Sequence, residues 1–136
     1  MNQAPEHGVL VGDPDDLSIF NYTSIQNYNG EDSFTFRSFN GEFYSDEATV
    51  TIQINSINDA PTVESFLSEV AEDSNIEILL SGYDIEGSAL TYSVTLPPSN
   101  GSISQDGDII SYTPNSDFYG EDQFFYTAND GELDSD

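Results

Sequence analysis

The strongest constraint on the fold is an internal repeat with an offset of 90 residues. Segment 22–46 aligns without a gap with segment 112–136, and ten of the 25 aligned positions are identical. Upstream, Pro5-Glu-His-Gly8 lies opposite Pro98-Ser-Asn-Gly101 once a three-residue difference is allowed. Self-similarity at a fixed spacing of this length indicates a structural unit that recurs along the chain. We therefore predict tandem units, each built from about 90 residues.

The repeat also predicts the boundaries of the units. Residues 1–57 form the C-terminal part of one unit, and residues 58–136 form the next unit without its last strand. An open sandwich edge favours association with another strand. Strand 46–55 could complete the second unit within the chain, or a neighbouring chain could donate the strand by exchange between copies. The third alternative is a slice of a longer array.

Apolar residues alternate with polar residues, and no helical spacing is evident. Segment 48–54 reads Ala-Thr-Val-Thr-Ile-Gln-Ile, which places its apolar side chains on one face, and segment 32–38 shows the same alternation. Short runs of this kind, separated by turn residues such as Asn40-Gly41, are typical of an antiparallel β-sandwich. Further strands are predicted at 17–23, 62–70, 75–81, 89–95, 101–105, 108–113 and 122–128.

The charge balance excludes several classes of partner. The chain carries 26 acidic residues against one cation, Arg37, and its formal net charge is -25. Nucleic acids and anionic lipids need Lys and Arg, so neither is an expected partner. No apolar run approaches the roughly 20 residues that cross a bilayer, and insertion into a membrane is not expected. Leu, Ile, Val and Phe make up 34 of the 136 residues, enough for a core, and Cys is absent.

Seven short motifs follow one another through most of the chain and resemble a known family. In this order they are similar to the cadherin-like and immunoglobulin-like tandem repeats of large bacterial surface adhesins. The motifs are Asn58-Asp-Ala-Pro61, Glu72-Asp73-Ser74, Ser81-Gly-Tyr-Asp-Ile-Glu-Gly87, Ala89-Leu-Thr-Tyr92, Pro98-Ser-Asn-Gly101, Tyr112-Thr-Pro114 and Tyr119-Gly-Glu-Asp122.

The resemblance implies an all-β fold, an antiparallel immunoglobulin-like (cadherin-like) β-sandwich of seven strands. It also implies an extracellular or cell-surface location and calcium at the junctions between units. The chain departs from the common Asp-Pro-Glu-Gly-Asp loop of these repeats, because Ile85 replaces the proline and Ser88 replaces the second aspartate. This departure reduces the number of calcium ligands that the loop can supply.

The predicted strand order places acidic loops at the two ends of the sandwich. Successive connections of an antiparallel sandwich lie at opposite ends, so one end of the second unit collects the linker, the loop at 84–88 and the segment after 128. By the repeat, Glu31 and Asp32 of the first unit should face the linker. The predicted metal ligands are Asn58, Asp59, Asp84, Glu86 and Asp130 at one end, Glu72, Asp73 and Asp122 at the other, and Glu31 and Asp32 in the first unit.

Calcium is the cofactor that this arrangement favours. Gathered carboxylates repel one another unless a cation lies among them, and Ca²⁺ accepts six to eight oxygen ligands from irregular loops. Two alternatives remain open at this point: each acidic loop is solvated surface, or the acidity is an adaptation to high salt without a specific metal site. The run Asp13-Pro-Asp-Asp16 is interpreted as a solvated turn.

The predicted function is mechanical rather than catalytic. We expect a calcium-binding structural repeat of an exported bacterial adhesin or filament, which spaces and stiffens the array through contacts between neighbouring repeats. A carbohydrate- or protein-binding module on the same sandwich is the alternative, with a glycan or surface protein held by loop tyrosines. An enzyme is not expected, since the one histidine, His7, lies in a predicted loop and the paired acids lie in repeated turns. The candidate loop tyrosines are Tyr28, Tyr83 and Tyr119.

Overall fold

The structure is a computed structural model that describes residues 3–13, 15 and 18–136. Its described part contains strands and no helix, so the all-β prediction is confirmed and no helix there could cross a membrane. The chain divides into two compact units, Met1–Ile57 and Asn58–Asp136. The strands are β1 (Gly8–Gly12), β2 (Phe20–Ser24), β3 (Gly30–Phe36), β4 (Ala48–Ile54), β5 (Thr62–Val63), β6 (Ile76–Leu79), β7 (Gly82–Tyr83), β8 (Thr91–Leu96), β9 (Gly101–Asp106), β10 (Ile109–Pro114) and β11 (Phe125–Asn129).

Two antiparallel strand pairs build the first unit. Strand β1 pairs with β2, and β3 pairs with β4 along their whole lengths, with Phe34 opposite Val50. Strand 46–55 therefore pairs within its own unit. Phe34 is buried, and its ring centroid lies 6.5 Å from that of Phe20. Beyond β3, the guanidinium Nε of Arg37 lies 3.7 Å from the Glu47 carboxylate, and both side chains are largely exposed.

The second unit has the two layers of an immunoglobulin-like β-sandwich. One sheet has the order β6-β10-β9, and the other pairs β8 with β11. Strand β10 is central in its sheet, and its inward residues Ile110 and Tyr112 are buried. Alternation along β10 therefore places one face of this strand in the core. The buried members of the core are Ile78, Leu80, Ile110 and Tyr112, with Val70, Ile76, Tyr92, Val94, Ile103, Phe124 and Tyr126 packed against them.

The structure corrects several strand boundaries. Of the predicted strand 62–70, only Thr62–Val63 is paired, and its partner is β7. Phe66 lies beyond this strand and packs against Tyr126, with 6.4 Å between the ring centroids. Sequence patterns missed β1 because its three apolar residues are consecutive, and β7 because it has only two residues. Strand β2 begins at Phe20; Leu17 of the predicted strand 17–23 and Pro14 and Asp16 of the predicted turn lie outside the described residues.

The internal repeat is present in the backbone as well as in the sequence. In the first unit a bridge joins Phe39 to Tyr44, and in the second unit a bridge joins Asn129 to Asp134, 90 residues further on in both partners. The hydrogen bonds next to these bridges also correspond. The Ser45 N–H donates to the Ser38 carbonyl at 3.0 Å, and the Ser135 N–H donates to the Ala128 carbonyl at 2.8 Å. One hairpin geometry is thus used twice.

Segment Gly120–Phe124 corresponds to Gly30–Phe34 of β3, but no described residue pairs with it as β4 pairs with β3. The pairing of β3 with β4 indicates which kind of strand segment 120–124 could bind. The two segments share Gly, Glu, Asp and Phe at four of their five positions. Strand β4 has no charged residue, so a strand of its sequence can approach an acidic chain without charge repulsion.

We therefore expect a synthetic peptide of residues 48–57, which has no charged side chain, to bind the intact chain at segment 120–124. Fluorescence anisotropy of the labelled peptide measures binding, and amide exchange measures protection of this segment. A peptide of the same composition with its alternation scrambled is the control, because a broken alternation places apolar side chains on the wrong face. Equal binding of both peptides would show that the edge accepts no specific strand.

Candidate functional site

Asp84 is an acidic residue held inside a turn rather than on the surface. It follows β7, and the residue is 6 % exposed. The turn is closed by the Gly87 N–H, which donates to the Asp84 carbonyl at 3.2 Å, and by the Ser88 N–H, which donates to Oδ1 at 2.7 Å. Oδ2 is buried and has no hydrogen-bond partner among the described residues. A buried carboxylate oxygen without a donor is destabilising, so this atom is a candidate ligand for a cation.

The linker residues Asn58 and Asp59 contact the two loops that the sequence analysis placed at the same end of the second unit. The Asn58 side-chain amide donates to Oδ2 of Asp130 at 2.8 Å, and the Asp59 N–H donates to Oε2 of Glu86 at 3.1 Å. These bonds connect residues 72 and 27 positions apart in the chain. This end of the second unit therefore contains two hydrogen-bonded pairs, Asn58 with Asp130 and Asp59 with Glu86. The fifth predicted ligand, Asp84, is buried in its own turn.

Asp130 is held in the ionised form by its surroundings. The N–H groups of Leu133 and Glu132 and the Asn58 amide all donate to it, and they lower the pKa of its carboxyl group against the small opposing effect of burial. Its Oδ1 accepts both backbone bonds, at 2.8 Å from Leu133 and 2.7 Å from Glu132. The carboxylate therefore remains an anion and available as an oxygen ligand through the pH range of most environments.

The acids do not converge into a ready-made carboxylate cage. No three His, Asp or Glu side chains in the described part of the chain are grouped closely enough to hold a metal ion by themselves. A cation at this end would therefore complete its shell with the Asn58 amide oxygen, main-chain carbonyls and water. These are all ordinary ligands for Ca²⁺.

The predicted ligands Glu72 and Asp73 lie on the exposed turn before β6. The Asp117 N–H approaches Oδ1 of Asp73 at 3.4 Å, and both residues have positive φ, 58° and 61°. In the first unit Glu31 is exposed, and its carbonyl accepts the Tyr28 hydroxyl at 3.0 Å. None of these groups is enclosed as Asp84 is, and their assignment as metal ligands stays a prediction.

Asp122, by contrast, is surrounded by hydrogen-bond donors. Its Oδ1 accepts from the Ser99 N–H at 3.0 Å and the Gln123 N–H at 3.1 Å. Its Oδ2 accepts from the Asn100 N–H at 2.9 Å and the Tyr112 hydroxyl at 3.0 Å. Four donors match the roughly four lone-pair sites of a carboxylate. We name this arrangement the carboxylate clamp, because it ties the Pro98–Gly101 loop to strand β10.

A second carboxylate clamp in the first unit is built on Asp32. Its Oδ1 accepts from the N–H groups of Glu6 and Ser33, and its Oδ2 accepts from the His7 N–H and the Tyr22 hydroxyl. Four donors fill the lone-pair sites of Asp32 and of Asp122, whereas the three donors to Asp130 leave one site open, so the geometry does not favour Asp32 and Asp122 as calcium ligands. Sequence reasoning missed the clamps, although a signal was present. In both units a Pro-x-x-Gly loop precedes a tyrosine that lies ten residues before the aspartate.

The clamps shift the ionisation of their members in opposite directions. Burial opposes the charge of Asp122, but the donors from Asn100, Ser99, Tyr112 and Gln123 outweigh it and lower the pKa of the carboxyl group. Burial and the bond to Asp122 raise the pKa of the Tyr112 hydroxyl. In the first unit the same causes raise the pKa of Tyr22 to about 12. Each clamp is therefore an anion bonded to a neutral phenol over the whole neutral range.

The loop tyrosines and His7 have different surroundings. Tyr83 and Tyr119 are 65 % and 86 % exposed. Tyr28 instead stacks on His7, with ring centroids 3.9 Å apart and an interplanar angle of 9°. His7 is half-buried, and its N–H is used by the first clamp. Only Tyr83 and Tyr119 of the three candidate tyrosines therefore present most of their surface to solvent.

Comparison with known families gives one match. The sequence profile of the family described as Bacterial Ig domain matches residues 58–136, which is the whole second unit and more than half of the chain. A search of curated proteins found no match. Domains of this family are structural folds that typically occur in surface or exported proteins. The match supports the immunoglobulin-like part of the resemblance seen in the sequence, while the cadherin-like part stays a prediction.

Proposed function

Because the chain belongs to the bacterial immunoglobulin-domain family, we propose that it is a calcium-binding, non-enzymatic spacer repeat of an exported adhesin or surface filament. Its work is to hold neighbouring repeats at a fixed spacing and to stiffen the array when calcium is bound. The family match and the repeated hairpin and clamp support the structural part of this proposal. Units that mainly contact their neighbours suit such a mechanical role.

The observation that carries the calcium proposal is the buried Oδ2 of Asp84, which has no donor among the described residues. The Ser88 N–H at 2.7 Å already satisfies Oδ1, so Oδ2 is the carboxylate oxygen that still needs a partner. A divalent cation satisfies the buried oxygen and offsets the like charges of the surrounding loops. Asp84 would be its enclosed ligand, and Asn58, Asp59, Glu86 and Asp130 supply the other candidate oxygens.

Calcium fits this donor set better than magnesium does. Mg²⁺ demands near-octahedral geometry at about 2.0–2.1 Å and gives up its water reluctantly. Ca²⁺ accepts six to eight oxygens at about 2.3–2.6 Å in flexible geometry, which irregular loops and a linker can provide. Binding would join the linker to the loop after β7 and so restrain the hinge that precedes the second unit.

Thermal unfolding with chelator, with calcium and with magnesium at fixed ionic strength tests this proposal. A ligand that binds only the folded state adds about 2.7 kcal/mol at a hundredfold excess over its dissociation constant. We expect calcium to raise the unfolding temperature well above that in chelator, and magnesium to do so much less. Equal effects of the two ions would contradict the proposal.

Asp84→Asn is the matching variant, with Glu77→Gln as its control. Both substitutions remove one negative charge from the second unit, but Glu77 is exposed on β6, whereas Asp84 is enclosed. Asp84→Asn should abolish most of the calcium response, and Glu77→Gln should leave it intact. A loss of response in both variants would indicate general charge screening, as would a response to molar monovalent salt alone.

Binding of a carbohydrate or protein partner is the competing function, and exposed Tyr83 and Tyr119 would be its contacts. A glycan array read in the presence of chelator separates it from the spacer function. A pure spacer gives no signal there, whereas a binding module keeps its signal, and Tyr119→Ala reduces it.

A further inference from the structure

The hairpin tip of the first unit carries an amide at a position where the second unit carries a carboxylate. Asn40-Gly41 corresponds to Asp130-Gly131 at the 90-residue offset. The two tips have the same hydrogen bonds, since the N–H groups two and three residues later donate to Oδ1. The distances are 3.0 and 2.8 Å at Asn40, and 2.7 and 2.8 Å at Asp130. The hairpin backbone therefore accommodates either side chain.

The following glycine differs between the units. The Gly131 N–H donates to Oδ1 of Asn129 at 2.8 Å. Phe39 occupies the equivalent place in the first unit and offers no side-chain acceptor, and the Gly41 N–H has no acceptor anywhere in the described ranges. Gly41 has a φ of 102° and open space where a side chain would stand. Its nitrogen is free to approach the side chain of Asn40.

We propose that Asn40 is a site of spontaneous, structure-assisted deamidation. The Gly41 nitrogen attacks Cγ of Asn40, forming an N–Cγ bond while the Cγ–Nδ2 bond breaks. The proton of the Gly41 nitrogen leaves with Nδ2 as ammonia. Water then opens the cyclic imide at either carbonyl, which yields aspartate or isoaspartate at position 40. The reaction consumes one water and releases one ammonia.

Two backbone donors are placed to assist the first step. When the Gly41 nitrogen attacks, negative charge develops on Oδ1 of Asn40, and the N–H groups of Glu42 and Phe43 already point at this oxygen. Preorganised donors of this kind stabilise an oxyanion more than they stabilise a neutral carbonyl. The tip therefore combines an unpaired nucleophile with a small oxyanion site.

The other two Asn-Gly pairs of the chain are held in strand ladders instead. Gly30 begins β3 and is paired with Ile54, and Gly101 begins β9 and is paired with Pro114. Asn100 is restrained further, because its N–H donates to Oδ2 of Asp122 at 2.9 Å. Backbone restrained by strand pairing resists the ring closure, so Asn40 should react before Asn29 and Asn100.

The direct aspartate product would give the first hairpin tip the same Asp-Gly-Glu sequence as the second. It adds one negative charge and places a carboxylate where Asp130 stands in the repeat. The isoaspartate product inserts a methylene group into the backbone and should disturb the bridge between Phe39 and Tyr44. The proposal does not depend on calcium binding, since it uses only groups of the first unit.

Peptide mapping by mass spectrometry tests the proposal after incubation of the intact chain at mildly alkaline pH. The amide-to-acid mass change should accumulate at Asn40 before Asn29 and Asn100. The same incubation in denaturant should give similar rates at all three positions, since the sequence context Asn-Gly is shared. If the order of the three sites is the same in folded and unfolded chains, or if Asn29 or Asn100 reacts first when folded, the proposal is overturned.

Phe39→Asn tests the role of the free Gly41 N–H, because it recreates the acceptor found at Asn129. Conversion of Asn40 should become about fivefold slower, the rate equivalent of one hydrogen bond worth about 1 kcal/mol. Phe39→Ala is the control, because it removes the ring without adding an acceptor and should keep the original rate or exceed it. Equal rates in the two variants would exclude the unpaired N–H as the cause.

Discussion

Asp122→Asn is expected to destabilise the second unit by about 2–4 kcal/mol, the cost of breaking a group of partly buried, charge-assisted hydrogen bonds. Asparagine keeps one acceptor oxygen but presents an NH₂ group to donors that now face the other oxygen. Two of these donors are backbone N–H groups of the Pro98–Gly101 loop, at Ser99 and Asn100. The loop should therefore lose its attachment to residue 122, and chemical denaturation followed by tyrosine fluorescence measures the loss in stability.

The neighbouring residue provides a matched control for this substitution. Glu121→Gln removes the same charge from an exposed side chain one position earlier. Surface substitutions of this kind usually change the free energy of unfolding by less than about 0.5 kcal/mol. If Glu121→Gln and Asp122→Asn had equal effects, net charge rather than the clamp would account for the change.

The clamp also makes the stability of the second unit depend on pH in two separate ranges. The folded-state pKa of Asp122 is lowered from 3.8, so its contribution is present above pH 3.8 and is lost as the pH falls through the lower folded value. The pKa of Tyr112 is raised from 10.0, so its contribution is present below pH 10.0 and is lost as the pH rises through the higher folded value. Unfolding curves of Asp122→Asn should lose the part of the acid dependence that comes from Asp122 and keep the part that comes from Asp130.

Ile110→Ala is expected to have the other large effect, a loss of about 2–5 kcal/mol in the free energy of unfolding. Ile110 has no exposed surface, and it lies on the central strand of the three-stranded sheet, between the sheet and the opposite layer. Removing its side chain beyond Cβ loses buried apolar contact and leaves a cavity that the paired strands cannot close. Urea denaturation measures the loss through the shift of its midpoint.

The adjacent residue separates burial from strand propensity. Ile109→Ala makes the same chemical change one position earlier on β10, where the side chain is 40 % exposed on the outer face. Alanine is disfavoured in strands at both positions, so this contribution is shared. Ile110→Ala should therefore cost at least about 1–2 kcal/mol more than Ile109→Ala, the part that comes from burial. Equal losses would mean that the core is not centred on Ile110.

The strands that sequence predicted well are those whose burial is one-sided. Segment 48–54 alternates strictly, and it forms β4 with these limits. Strand β1 escaped prediction because Val9 and Val11 are largely exposed although both are apolar, so its composition does not report its burial. For residues 64–70, apolar composition predicted a strand, but Phe66 instead packs beside Tyr126 without strand pairing.

The acidic residues show why the candidate site was harder to predict. The sequence places Asp84 and Asp122 in similar short acidic motifs, and it gives no direct record of which oxygens meet a backbone N–H. The donors to Asp122 come from a loop 22 and 23 residues earlier, and backbone N–H groups are common to almost every residue type. Only the folded structure shows that both oxygens of Asp122 accept hydrogen bonds, whereas Oδ2 of Asp84 is buried and accepts none from the described residues.

Arg37, which pairs with Glu47 just beyond β3, makes the first unit sensitive to one class of protease. Arg37 is the only Lys or Arg in the sequence, so a protease that cleaves after basic residues has one peptide bond to recognise, between Arg37 and Ser38. That bond directly follows β3, and cleavage would leave β3 and β4 as separate segments held together by a ladder of seven residue pairs. Residues 58–136 contain no Lys or Arg, so such a protease would leave the second unit uncut.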